Sequence, residues 1–470
     1  MLPYAPTANL VMRWKALFAV LVVGAAFSGC AREPTRRSDE PNLIVVVVDT
    51  LRADRLAEYG HDRPTSGALS ELLGNSIRFD QAFTPAPWTR PAIASLFSGL
   101  APSRHRAQTR RSTLLNPVVV SLAERLQSSG WSTGGFSHNV EISRQTLFDQ
   151  GFDVFDDYQG GVTAYPDVSK MMRAAGKWVR TVDRPFFLYL QPMNVHGPYE
   201  VPRGKQDDLL GSPPGRDFVY GDRLMSSIMA GGVRFREKVT PDYVESLQDQ
   251  YDTSIRYLFD SLAGLFEQLR ESGELERSLV VVTADHGEEL FDHEGFSHGY
   301  TLHREIVRVP LFVKLPGEVE GRVVNDRVTL LDLYPTLLDL MGVASPPDLD
   351  GMSFAPLVQG APGAKAPREE IVFEVHSPVR CIGEAILKGD YKLVRINRDY
   401  QGNRDRRLLF RVSDDEMERR DLAAELPEVV AELERRLDEI LAGRRERALP
   451  PPNKPEAELD KDTLKALGYL

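Results

Sequence analysis

The chain has 470 residues, 42% of them hydrophobic and 27% charged, a balance that suits one large folded domain with a smaller appendage and excludes a disordered chain. Its formal net charge of -11 excludes a nucleic-acid binder, because neutralising phosphates needs a clustered basic surface that no segment supplies. The short runs Arg36-Arg37 and Arg444-Arg445 read as linker and helix-end charges.

In chain order, Arg13 and Lys15 precede an apolar run, Ala16 to Phe27, that stops at Ser28-Gly29-Cys30. The run is short for a membrane span and reads as the core of a signal peptide. Phe-Ser-Gly-Cys resembles a bacterial lipobox, so residues 1–30 are expected to be a lipoprotein signal peptide with Cys30 acylated. The rival reading is an uncleaved anchor with an incidental cysteine, and both place the body outside the cytoplasm. The lipoprotein reading puts it on the periplasmic side, at the outer membrane. With Cys30 lipidated, Cys381 has no disulfide partner and reads as a small buried hydrophobe. Residues 31–41 are polar with two prolines, the composition of a tether.

The fold is expected to begin at Asn42. Leu43 to Val48 is an aliphatic run too short for a helix, the pattern of a strand buried on both faces of a parallel sheet. Pro185 to Leu190, Ser278 to Thr283 and Val309 to Leu315 repeat it, with helical patterns such as Val118 to Gln127 and Tyr251 to Leu269 between them. This alternation predicts a doubly wound, mostly parallel α/β sheet over residues 42–345. Beyond the prolines around Pro346-Pro347 and Pro362 to Pro367 lie strand-like Ile371 to Val375 and Tyr391 to Ile396, then a helical Pro427 to Leu441. Residues 346–470 therefore read as a small α+β subdomain with an antiparallel sheet.

Two of the buried strands run into acidic residues, Asp49 after the first and Asp285-His286 after Val280 to Thr283. Ligands collect at the carboxyl ends of parallel strands, and carboxylates with an imidazole suit a divalent metal. Either aspartate alone would pass for a turn former or helix cap. Trp88 to Gly99 reads as a loop entering a short helix, with Thr89 as N-cap, Pro91 in the first turn and Gly99 past the end. A hydroxyl there faces the positive end of the helix dipole, where an anion is favoured.

Asp49-Thr50-Leu51-Arg52-Ala53-Asp54, Trp88 to Gly99, Asn194-Val195-His196-Gly197-Pro198-Tyr199 and Thr283-Ala284-Asp285-His286-Gly287-Glu288 occur in the order found in sulfatases. From about Asn42 to the Leu467–Leu470 end, the chain resembles the sulfatase branch of the alkaline phosphatase superfamily. The resemblance implies a divalent metal (Mn, Zn, Mg or Ca) held by Asp49, Thr89, Asp285 and His286. It also implies a catalytic nucleophile at Thr89, His196 on the transferred anion, and His298 beside the anion and leaving group. Arg90 is expected to help hold the anion. His293 and His303 read as surface or supporting residues, Asp252 as structural, and the His293-Glu294 to His298 spacing does not match a metalloprotease helix motif.

The chain departs from the family at the nucleophile. Sulfatases convert a cysteine or serine there to formylglycine, followed by proline two residues on and arginine four residues on. This chain has Thr89, Pro91 and Ile93. Threonine cannot yield that aldehyde, so no formylglycine is expected, and Asp49 is followed by Thr50 rather than a second aspartate. Both departures lean towards phosphoester or phosphonate chemistry. The expected activity is metal-dependent hydrolysis of a sulfuric or phosphoric ester, with an anionic ester as substrate and the membrane as partner through Cys30. The alternatives are a phosphoryl-group transferase acting on envelope lipid or glycan, and a non-catalytic binding lipoprotein. The stretches Gly160 to Lys177 and Arg203 to Lys238 carry no recognisable substrate motif.

Overall fold

The computed structural model describes residues 39–108, 114–157, 167–199, 201–202, 223–229, 233–317, 320–377, 381–399 and 404–451. The signal peptide with Cys30, most of the tether, the Leu467–Leu470 end and parts of the Gly160–Lys177 and Arg203–Lys238 stretches lie outside them. No helix among the described residues is long and apolar enough to cross a membrane.

The main sheet is built on β1 (Asn42–Val48), whose seven residues are all buried. β1 pairs in parallel with β5 (Phe186–Gln191) on one side and β6 (Ser278–Ala284) on the other, so Val46 lies between Leu190 and Val282. A strand enclosed on four sides needs a continuous aliphatic run, which is what Leu43 to Val48 supplies. β3 (Ser132–Ser137) and β4 (Val154–Asp157) extend the parallel sheet beyond β5. On the other side β10 (Leu311–Lys314) pairs antiparallel with both β6 and β2 (Ile77–Phe83), and β11 (Arg322–Thr329) closes that edge parallel to β2. The Val309 to Leu315 run is thus split. A two-residue β9 (Arg308–Val309) pairs antiparallel with β2, Pro310 interrupts it, and β10 runs against its neighbours.

Helices cover both faces. Along β5 alternate residues point to opposite sides. Trp178 of helix Val168–Val179 meets Phe186 at 5.9 Å, whereas Phe97 of helix Thr89–Ser98 meets Tyr189 at 4.9 Å. The long helix predicted from Tyr251 begins earlier, at Pro241, with the Thr240 hydroxyl accepting from Tyr243 N, and runs to Glu271. The helix expected over Val118 to Gln127 is Leu122–Ser128, opened by a Ser121–Glu124 capping box.

A second, antiparallel sheet has the order β12 (Glu370–His376), β13 (Ile382–Lys388), β14 (Tyr391–Arg398) and β15 (Arg404–Arg411). One face receives Leu433, Leu437 and Leu441 of helix Pro427–Glu446, a four-residue spacing that lines a single helix stripe. The other face, including Phe373 and Val394, packs on Phe83 of β2 and on Leu302, Ile306 and Val307. Phe354, Leu357 and Val358 still belong to the main core, so the change of core falls between Val358 and Glu370. Cys381 is buried with its thiol pushed up to about 12 by burial. Arg444 differs from its expected place as a solvated helix-end charge. It is buried and donates to Glu374 Oε1 at 2.7 Å.

Candidate active site

β1 and β6 run side by side to their ends, with Val48 opposite Ala284, so the next residues, Asp49 and Asp285, emerge together. The turn after β1 is forced: Thr50 holds a φ of 57°, a left-handed conformation that strains a β-branched residue. Its surroundings fix it there. Thr50 N donates to Asp285 Oδ1 at 3.2 Å, its hydroxyl donates to Val195 O at 2.8 Å, and Tyr251 donates to its carbonyl at 2.6 Å. After β6, Gly287 passes so close to Glu305 that a Cβ would lie 1.9 Å from the Glu305 carbonyl oxygen.

Asp49, Asp285 and His286 are buried with ligand atoms within 4.8 Å of one another. His286 Nδ1 lies 2.9 Å from Gly287 O, which can only accept, so Nδ1 carries the proton and the Nε2 lone pair is available as a ligand. That Nε2 lies 4.0 Å from Asp49 Oδ1 and 3.5 Å from Asp285 Oδ2. Neither of these oxygens accepts a hydrogen bond among the described residues. Burial holds Asp285 up to about 7, and burial plus the neighbouring Asp285 charge raises Asp49 well above the ordinary range. Two buried carboxylates with unsatisfied oxygens beside an imidazole lone pair are the donor set of a divalent cation, so the residues fit the expected metal.

Thr89 is the first residue of its helix, not the N-cap. Trp88 takes the cap position with φ -158° and makes no side-chain cap, while Gly99 ends the helix at φ 66° as expected. The Thr89 hydroxyl is buried, 3.3 Å from His286 Nε2. The ring of His298 lies 4.4 Å from that of His286 and 5.0 Å from that of His196, so the expected histidines share one pocket with the carboxylates. His196 Nδ1 donates to Gly197 O at 2.8 Å. Arg90 is buried on the same helix, where its guanidinium pairs with buried Glu141 and lies 5.6 Å from the Trp88 ring.

Two further residues escaped the sequence reading. Asn139 donates to Asp49 Oδ2 and stands 3.4 Å from the Thr89 hydroxyl. Glu288 Oε1 accepts from His298 Nδ1 at 3.0 Å. Asn139 follows β3, whose Ser-Thr-Gly-Gly-Phe-Ser lacks the aliphatic run that marks its neighbours. Of the other histidines, His293 stacks flat on His303, and Asp252 is bound by His61 and Arg63 at 3.1 and 3.0 Å, a structural place as expected.

A sulfatase family model matches residues 41–343, and one described as N-sulphoglucosamine sulphohydrolase, C-terminal, matches 292–443. A delta 4,5-hexuronate-2-O-sulfatase of Bacteroides thetaiotaomicron is 23% identical over 89% of this chain and 92% of the relative. Arylsulfatase K of Mus musculus is 22% identical over 90% and 83%. Among solved structures, a 2-O GAG sulfatase superposes with TM-score 0.70 at 18% identity, covering 89% of this chain and 96% of the other. A phosphonate monoester hydrolase of Agrobacterium radiobacter does so at 0.68 and 18%, covering 86% and 96%. These likenesses carry the fold, a mostly parallel α/β sheet with an antiparallel C-terminal one. The family match runs through every strand of the main sheet and both halves of the carboxylate–histidine cluster, and by it the chain belongs to the sulfatase family of sulfate ester hydrolases.

Proposed function

We propose that Thr89 is the nucleophile of this hydrolase, attacking the sulfur or phosphorus of an anionic ester in line. The observation that carries this reading is the placing of the Thr89 hydroxyl, buried at a helix start and 3.3 Å from His286 Nε2 beside Asp49 and Asp285. A divalent ion held by Asp49, Asp285, His286 and the Thr89 oxygen would supply positive charge at the reacting oxyanion.

The chain's own groups supply the rest. Asn139 orients Asp49 and the threonine oxygen. Thr89 Oγ1 attacks as the alkoxide, its proton having gone to solvent; as its bond to the central atom forms, the bond to the leaving alkoxide breaks, and His298, entering as the imidazolium with Nδ1–H on Glu288, gives that alkoxide the proton from Nε2. Glu288 holds the opposite ring nitrogen. His196 lines the oxyanion's place. Arg90 contributes as a shared cation, since Glu141 already balances its charge. Water then hydrolyses the Thr89 ester.

Two substrate classes compete, each with its own support. The sulfatase relatives favour sulfate esters. Thr89 favours phosphoesters or phosphonates, because a threonine ester of phosphorus is released by attack of water and needs no formylglycine. We favour phosphorus on the strength of Thr89. The Phe27-Ser28-Gly29-Cys30 segment supports export and lipid anchoring through Cys30, which metabolic labelling with a fatty acid, lost in Cys30→Ser, would test.

The deciding experiment is turnover of matched aryl sulfate, phosphate monoester, phosphodiester and phosphonate substrates after chelation and metal return. Thr89→Ala should remove activity and leave the circular dichroism unchanged. Full activity in that variant would sink the nucleophile assignment, and efficient Thr89-dependent sulfate release would transfer the assignment to sulfate.

A further inference from the structure

A second group of buried donors, sharing no residue with the active site, is formed by Glu289, His293 and Glu305, whose ligand atoms lie within 4.8 Å of one another. Glu289 opens the short hairpin of β7 (Glu289–Leu290) and β8 (Phe296–Ser297), His293 sits in its turn, and Glu305 comes from helix Arg304–Val307. The two glutamates are buried.

The hydrogen bonding around His293 is informative. Its Nε2 lies 3.2 Å from Glu418 O, a carbonyl that can only accept, so Nε2 carries a proton. In a neutral ring the Nδ1 lone pair would then face Glu305 Oε1 at 2.9 Å. Two acceptors in such contact need a cation between them, either a proton or a metal ion. The other Glu305 oxygen, Oε2, is buried and has no hydrogen-bond partner among the described residues, although its side chain is only 2% exposed. Glu289 Oε1 accepts from His293 N at 3.1 Å and Gly295 N at 2.7 Å, which ties this second carboxylate to the turn that carries His293. The ring itself is clamped: His303 stacks on it at 3.8 Å and 8°, and is tied in turn to Glu418 Oε2 at 3.2 Å.

We propose that Glu289, His293 and Glu305 form a second divalent-cation site, of a nitrogen and oxygen donor set best suited to zinc. Its role is structural. The ion joins the turn of the hairpin, which leads directly into His298, to the helix that follows and, through Glu418, to the second sheet.

The test uses the full chain, stripped with chelator, dialysed, and loaded with zinc chloride or cobalt(II), with bound metal counted by plasma mass spectrometry. In Asp285→Asn, which disables the active-site cluster, one equivalent of zinc should remain, and its cobalt form should show the visible absorption of low-coordinate nitrogen and oxygen ligation. Glu305→Gln, nearly isosteric, should lose that equivalent when combined with Asp285→Asn. The melting temperature of the zinc-loaded Asp285→Asn protein should exceed that of the stripped protein, which also reports that the variant folds. A folded Asp285→Asn protein that retains no ion would overturn the proposal and leave the cluster as a proton-bridged ion pair. Because the retained ion is read without turnover, failure here is distinguishable from failure of the Thr89 assignment.

Discussion

Glu288 Oε1 and His298 Nδ1 lie 3.0 Å apart, both side chains buried, so the imidazole expected to serve the leaving group is oriented by a carboxylate two residues beyond His286, the histidine proposed as a metal ligand. Replacing Glu288 by glutamine keeps an acceptor and removes the charge. We expect turnover to fall by roughly 10- to 100-fold, the scale of losing a carboxylate that orients a functional imidazole. His298→Ala should lose about 10²- to 10⁴-fold on poor leaving groups and much less on activated aryl esters. A leaving-group series measured on both variants checks this; equal losses across the series would remove His298 from the acid role.

Asn139 reaches Asp49 and the Thr89 hydroxyl together, at 3.4 Å in the latter case. Asn139→Ala is expected to lower kcat by roughly tenfold or more, with a smaller effect on KM, since a misplaced reacting group affects the chemical step. Comparable changes in KM alone would make Asn139 a substrate contact.

Asp49 and Asp285 are buried together, and burial raises both. In chelated protein Asp285→Asn should therefore be more stable than the parent, by roughly 1 kcal/mol per unit of relieved shift, while activity is lost. Thermal melting with and without added metal checks both halves. The parent should gain stability from metal at the Asp49–Asp285–His286 cluster, and the variant should lose that gain and keep only the one from the second site.

His105 is buried, 3.1 Å from Ser95 Oγ, and burial pushes it down to about 3. The unfolded chain takes up this proton near pH 6.5, the folded one only near 3. Between those values the unfolded state binds more protons, so stability falls as pH drops through that window, by up to about 1.4 kcal/mol per pH unit. Urea midpoints at pH 7 and pH 5 should differ more for the parent than for His105→Gln. Parallel pH dependence in the two proteins would assign acid lability elsewhere.

The legible parts of the fold were those where burial is uniform. β1 and β6 are enclosed on both faces and read as aliphatic runs, and they carry Asp49 and Asp285 at their ends. β3 stayed hidden because Gly134 and Gly135 make room for the Trp178 and Phe155 rings, where a Cβ would lie 2.7 and 2.5 Å away. With β3 went Asn139. The reversed direction of β10 was equally invisible, since an enclosed strand has the same composition either way. Thr89 was misplaced by one residue because Ser, Thr, Asn and Asp dominate cap positions, whereas here Trp88 takes that place in extended backbone. Glu288 looked like one acid among several, and only the fold brings it to His298.

The second sheet turns one apolar face towards Phe83, Leu302, Ile306 and Val307, and the last three follow His298 within ten residues. The small subdomain thus packs against the segment that follows His298. A chain ended before Glu370 would keep every expected metal ligand and the proposed nucleophile, yet it would bare that face and release the segment behind His298. Catalysis and the integrity of the C-terminal sheet should therefore fail together, and exchanging that sheet between relatives would tune the leaving-group side of the pocket without touching the ligands.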